Sequence, residues 1–157
     1  MIRPAEKRDI PGLIRLLTQV AQVHHDGRPD LFKSPATKFS AEDLERMLDE
    51  GVWMIFVLTD SGDERVLGHC FCEIVRHSGN RALTDIATLH IHDLVVDEAV
   101  RGQGLGARLY AHALDCARAQ GCHNLTLNVW TCNPSAVRFY ERMGLKPQKI
   151  GMETVLD

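Results

Sequence analysis

The stretch Asp93-Leu-Val-Val-Asp-Glu-Ala-Val-Arg-Gly-Gln-Gly-Leu-Gly-Ala107 joins a β-branched strand to a helix through an arginine and three alternating glycines, a junction suited to holding a phosphate. Glycine has no Cβ, so successive backbone N–H groups can turn inward. The helix that follows adds its unpaired N-terminal amides and positive dipole end at the same point. A P-loop would continue into Gly-Lys-Ser/Thr to reach the β and γ phosphates, and this stretch contains no lysine. A dinucleotide site would lie in an early βαβ unit with an acidic residue about 20 positions later. Here the glycines run Gly102-x-Gly104-x-Gly106 well past the middle of the chain, and Thr126 stands where the acid would be.

Arg101-Gly-Gln-Gly-Leu-Gly106 resembles the Arg/Gln-x-x-Gly-x-Gly/Ala motif of the GNAT (GCN5-related N-acetyltransferase) family. Further on, Asn133-Pro-Ser-Ala-Val-Arg-Phe-Tyr-Glu-Arg-Met-Gly144-Leu resembles that family's later helix, Asn-x-x-Ala-x-x-x-Tyr-x-x-x-Gly-Phe. The two motifs span residues 88 to 147 in the family's order. The resemblance implies an acetyl-CoA-dependent N-acetyltransferase that transfers acetyl directly to the primary amine of a small molecule. It places the diphosphate on the loop of Arg101, Gly102, Gln103, Gly104, Leu105 and Gly106. The pantetheine would lie along Leu94, Val95 and Val96, with Asn133 and Ser135 touching pantetheine or adenosine. Acetylation of a protein N-terminus or lysine, and acyl-CoA sensing without catalysis, are the competing functions.

Acetyl transfer to an amine needs a fixed thioester, a neutral nucleophile, donors for the developing oxyanion and an acid for the departing thiolate. Tyr140 occupies the family's tyrosine position and is the candidate acid, because a phenol can protonate a leaving thiolate. For the base, period-2 alternation on the strand ending at Val96 predicts His90, His92, Leu94 and Val96 on one face, opposite Ile91, Asp93 and Val95. Imidazole titrates near neutrality, so His92 or His90 could take the proton, and Glu73 on the preceding strand is a carboxylate alternative. Family members often carry a glutamate in this region. His24, His25 and Asp26 are adjacent, so they present rings poorly to one ion; they read as substrate contacts, and no metal is expected. Cys70 and Cys72 read as small buried residues, and Cys132 as a neighbour of the cofactor rather than a nucleophile.

The elements that must position these groups are legible from periodicity. A short strand at Ile2 precedes a helix carrying Ile10, Leu13, Ile14, Leu17, Val20 and Ala21 on one face. Residues 24 to 38, with Gly27, Pro29 and Pro35, read as a loop before a helix capped by Ser40 and Asp43. Strands are predicted at Val52 to Thr59, Val66 to Val75 and Ala87 to Val96, with Asp60-Ser-Gly-Asp63 as a hairpin turn. A helix from Leu105 to Gln120, a strand from Asn124 to Trp130, a helix from Pro134 to Gly144 and a closing strand from Gln148 to Leu156 complete the order. The fold class expected is α/β: a mixed central sheet in the order β-α-α-β-β-β-α-β-α-β, helices on both faces, and parallel fourth and fifth strands. In the family these two strands splay apart and pantetheine enters the gap.

The 157 residues, 45% of them hydrophobic, suit one N-acetyltransferase domain over 1–157. A net charge of −3 argues against a nucleic-acid partner. No apolar run approaches the roughly 18 residues of a membrane span, and the first residues lack the core of a signal peptide. The five cysteines, without Cys-x-x-Cys spacing, fit free thiols in the cytoplasm. The closing strand would offer a pairing edge for a homodimer.

Overall fold

The computed structural model describes residues 1–157. The chain forms β1 (Ile2–Pro4), α1 (Ile10–Gly27), α2 (Ala41–Glu50), β2 (Met54–Thr59), β3 (Val66–Arg76), β4 (Ala87–Val96), α3 (Leu105–Ala119), β5 (Asn124–Leu127) and α4 (Pro134–Arg142). The sheet order is β1-β2-β3-β4-β5. The first four strands are antiparallel neighbours, and β4 pairs with β5 in parallel. α3 supplies the crossover that a parallel pair requires.

Strand alternation divides the core between the two faces. Ile55, Val57, Phe71 and Val95 meet Leu13, Leu16 and Leu17 of α1 and Leu44 of α2. Leu58, Cys70, Leu89 and Ile91 meet Leu109, Ala113 and Ala117 of α3. The three α1 leucines are fully buried, each contributing about 1.5–3 kcal/mol of transfer free energy. Helix starts follow local chemistry. The Ser40 hydroxyl accepts from the Asp43 N–H at 3.1 Å while the Asp43 carboxylate accepts from the Ser40 N–H at 3.0 Å. Asn133 Oδ1 accepts from the Ala136 N–H at 3.3 Å, with Pro134 at the first helical position of α4.

Three expectations need correction. α1 continues through His24, His25 and Asp26 to Gly27, so the loop begins at Arg28; none of these three residues breaks a helix. β5 ends at Leu127, short of Trp130, where its pairing with β4 stops. The closing strand does not form, and residues 145–157 hold no helix or strand. Ile150 and Met152 share one strand face, but Val155 would fall on the other, so no register buries all of them. These side chains are exposed, and the tail is instead tethered where Glu153 pairs with Arg28. No helix is long and apolar enough to cross a membrane.

Candidate active site

Pairing between β4 and β5 runs from Thr88↔Asn124 to Ile91↔Leu127 and stops. β4 continues to Val96, held only on its β3 side by Leu94↔Cys70, Val95↔His69 and Val96↔Gly68. The two parallel strands therefore diverge as expected. A cavity of about 540 Å³ opens at the divergence, between Leu94, Val95 and Val96 on one wall and Phe139, Tyr140 and Met143 of α4 on another.

The glycine loop forms the cavity's far end. Gly102 and Gly104 have φ of 80° and 74°, a region that side-chain-bearing residues rarely adopt, and a Cβ on either would point into open space. Gly104 is the N-cap of α3, so the first amides of that helix face the cavity through Leu105, Gly106 and Ala107. Such a cradle fits a diphosphate. Asn133 and Ser135 also line the cavity, whereas Gln103 does not. The Arg101 guanidinium folds back, its Nε donating to the Val96 carbonyl at 3.2 Å.

Asp97, at the exit of β4, fixes where this loop starts. Its buried carboxylate accepts from Arg15 at 2.5 Å, Arg65 at 2.9 Å, Gln19 at 3.3 Å and the Ala99 N–H at 3.2 Å. Burial alone would raise its pKa, but these donors outweigh burial and hold the carboxyl well below the usual range. Sequence spacing did not single out Asp97, because its partners on α1 and just before β3 lie far along the chain.

Tyr140 projects from α4 into the same cavity, beside Phe139 at 5.1 Å between ring centroids. Burial, and then the negative charges of neighbouring groups including Asp93, push its phenol pKa up. The hydroxyl therefore stays protonated through the neutral range.

The expected face of β4 is broken by a bulge. Cys72 pairs with Ile91 and Phe71 with Asp93, leaving His92 as the extra residue. Beyond it the alternation inverts: Leu94 and Val96 join Leu89 and Ile91 on the α3 face, away from the face the histidines were predicted to share with them. The imidazole of His92 stacks on Trp53 at 3.8 Å, and its Nε2 lies 2.8 Å from Glu73 Oε2. His90 Nδ1 lies 2.8 Å from Thr126 Oγ1, with the two histidine rings 4.8 Å apart. Burial and then the proximity of His92 lower the His90 pKa, which keeps that ring neutral. Glu73 and His92 thus form one hydrogen-bonded acid–base pair at the point where the strands part.

Other groups converge here that the sequence did not bring together. Lys38 Nζ lies 3.0 Å from Asp93 Oδ2 and 3.4 Å from the His92 carbonyl. His24, Phe32 and Trp130 form an aromatic cluster, with Phe32 at 5.0 Å from each of the other two rings. The loop carrying Phe32 is tied back to α1 by a 2.7 Å contact between its carbonyl and His25 Nδ1.

A model of the acetyltransferase (GNAT) family matches residues 20–145. The chain belongs to that family of N-acetyltransferases, whose members use acetyl-CoA as co-substrate. Among relatives, "Glucosamine 6-phosphate N-acetyltransferase 1" of Oryza sativa subsp. japonica is 36% identical over 63 residues, a match spanning 40% of this chain and 36% of that one. "Probable glucosamine 6-phosphate N-acetyltransferase 2" of the same plant is 28% identical over 143 residues, covering 90% of this chain and 78% of the relative. Among solved structures, a variant of the BH1408 protein of Bacillus halodurans superposes with a TM-score of 0.93 at 27% identity over 99% of both chains.

Proposed function

We propose that residues 1–157 act as one catalytic domain that transfers acetyl from acetyl-CoA to the primary amine of a small molecule. The observation that carries this reading is the cavity at the divergence of β4 and β5, closed at one end by the glycine cradle. In this reading Gly102 and the amides from Gly104 to Gly106 hold the diphosphate, and the unpaired edge of Leu94, Val95 and Val96 meets the pantetheine amides. A backbone N–H of the same edge polarises the thioester carbonyl. Glu73, through or together with His92, removes the proton of the incoming ammonium. Tyr140 returns a proton to the departing thiolate.

The loop from Arg28 to Ser40 supports a pocket over an open groove, because Phe32 rests on Trp130 and Lys38 on Asp93. That favours a small amine over a protein acceptor. The names of the rice relatives put an amino sugar phosphate into the panel of acceptors, beside a polyamine and an amino acid. The cysteines are all free, which supports a reducing, cytoplasmic setting.

Calorimetry is expected to show coenzyme A binding, and acetyl-CoA with one of these amines to release free thiol. Gly104→Val, which forces a branched side chain into φ of 74°, is expected to weaken coenzyme A binding roughly tenfold or more. A wild-type chain with no affinity for coenzyme A would overturn the reading. Glu73→Gln tests the base: turnover should fall on the order of 10²-fold with cofactor affinity unchanged. An unaltered rate would remove Glu73 from the mechanism.

A further inference from the structure

We propose that Lys38 is an acceptor for the protein's own acetyl transfer, and that its acetylation frees Asp93 to receive the ammonium of the external amine. The inference rests on the transferase reading above. Its geometry comes from the fork of the sheet. The last residue of β4 paired with β5 is Ile91. Lys38 Nζ contacts the next two residues, through the carbonyl of His92 at 3.4 Å and the carboxylate of Asp93 at 3.0 Å. The following residues, Leu94, Val95 and Val96, line the cofactor cavity. A primary amine of the chain thus sits at the head of the gap.

Three features hold it as a site for an ammonium would. Asp93 supplies the counter-charge, the His92 carbonyl a second acceptor, and the Phe39 ring a π face 5.6 Å from Nζ. The Asp93 carboxylate is largely buried, its side chain 12% exposed, while that of Lys38 is 48% exposed. The Lys38 end of the pair thus reaches solvent, which leaves the amine an open side from which to move toward the gap. The Glu73–His92 pair lies on the adjoining residue and can accept the proton that the ammonium must lose.

The step balances without further reagents. Lys38 gives one proton to the base and its nitrogen forms the amide bond to the acetyl carbon. The carbon–sulfur bond breaks, the thiolate takes a proton from Tyr140, and the second proton that the nitrogen sheds as the amide forms returns the phenol to its neutral state. The product is Nε-acetyl-lysine and free coenzyme A thiol. The acetylated side chain carries no charge, so Asp93 loses its partner and the loop from Arg28 to Ser40 loses a tether to β4.

The test uses the wild-type chain with acetyl-CoA and no added amine, followed by peptide mass mapping over time. Lys7, Lys33 and Lys146 serve as internal references for uncatalysed acetylation. Lys38 should be modified at least roughly tenfold faster than these, reflecting the effective concentration of a positioned nucleophile. Its first-order rate constant should not change with protein concentration. Lys38 modified no faster than the references, or at a rate rising with protein concentration, would overturn the inference. If amines of the panel release thiol while Lys38 stays unmodified, only this inference falls. If no amine releases thiol and coenzyme A does not bind, the transferase reading falls with it.

Discussion

Tyr140→Phe is expected to lower kcat by roughly 10²–10⁴-fold while leaving the coenzyme A dissociation constant within about twofold of wild type, by steady-state thiol release and calorimetry. The removed atom is a hydroxyl with no hydrogen-bond partner elsewhere in the chain, while the ring, which lines the cavity beside Phe139, is retained. Burial keeps the phenol protonated, so near neutral pH it is a stored proton rather than a charge. The thiolate that leaves on acetyl transfer is the group that would draw that proton, and Phe has none to give. Stability should change little in the neutral range. The raised phenol pKa costs stability only above the ordinary value of about 10, where the unfolded chain ionises, the native chain resists ionisation and stability falls as pH climbs. A loss of less than about tenfold would place the proton source elsewhere. Parallel loss of coenzyme A binding would show instead that the hydroxyl holds the cofactor.

The parts of this site legible in the sequence are those encoded locally. Gly102 and Gly104 announce their backbone geometry by lacking a side chain, and Asn133-Pro134 announces a helix start. The divergence of β4 and β5 entered through the family resemblance, and the register confirms it at Ile91↔Leu127. The bulge at His92 was invisible, because one extra residue leaves no mark on a strand's own pattern; it exists only relative to Phe71 and Cys72 of β3. The alternation argument therefore paired the histidines with Leu94 and Val96, which face the other way. The closing strand failed because β-propensity without a consistent apolar face does not secure pairing. The Lys38–Asp93 contact joins residues 55 positions apart, and nothing at either position specifies the other.

The second large effect concerns acid stability and centres on His69. This residue of β3 pairs across to Val57 and Val95, lies fully buried with its ring 4.8 Å from Phe71, and offers two ring nitrogens that find no partner. Burial, and then the positive charge of Lys38, depress its pKa to about 3. Between that value and the ordinary pKa of about 6.5, the unfolded chain binds a proton that the native chain refuses, so stability rises with pH in this window and falls on acidification. Each unit below 6.5 costs up to about 1.4 kcal/mol, or about 2 kcal/mol at pH 5. His24 and His90, also lowered by burial, act in the same direction, whereas Asp97 and Asp63 add their share only below about pH 4. His69→Leu isolates the term. It removes two unsatisfied polar atoms, so stability at pH 7 should hold or increase by about 1–3 kcal/mol. The drop in urea midpoint between pH 7 and pH 5 should shrink by the amount that His69 supplied. A variant whose midpoint falls as steeply as wild type would show that His69 takes up its proton as readily in the native chain as in the unfolded one, and that the acid loss arises elsewhere.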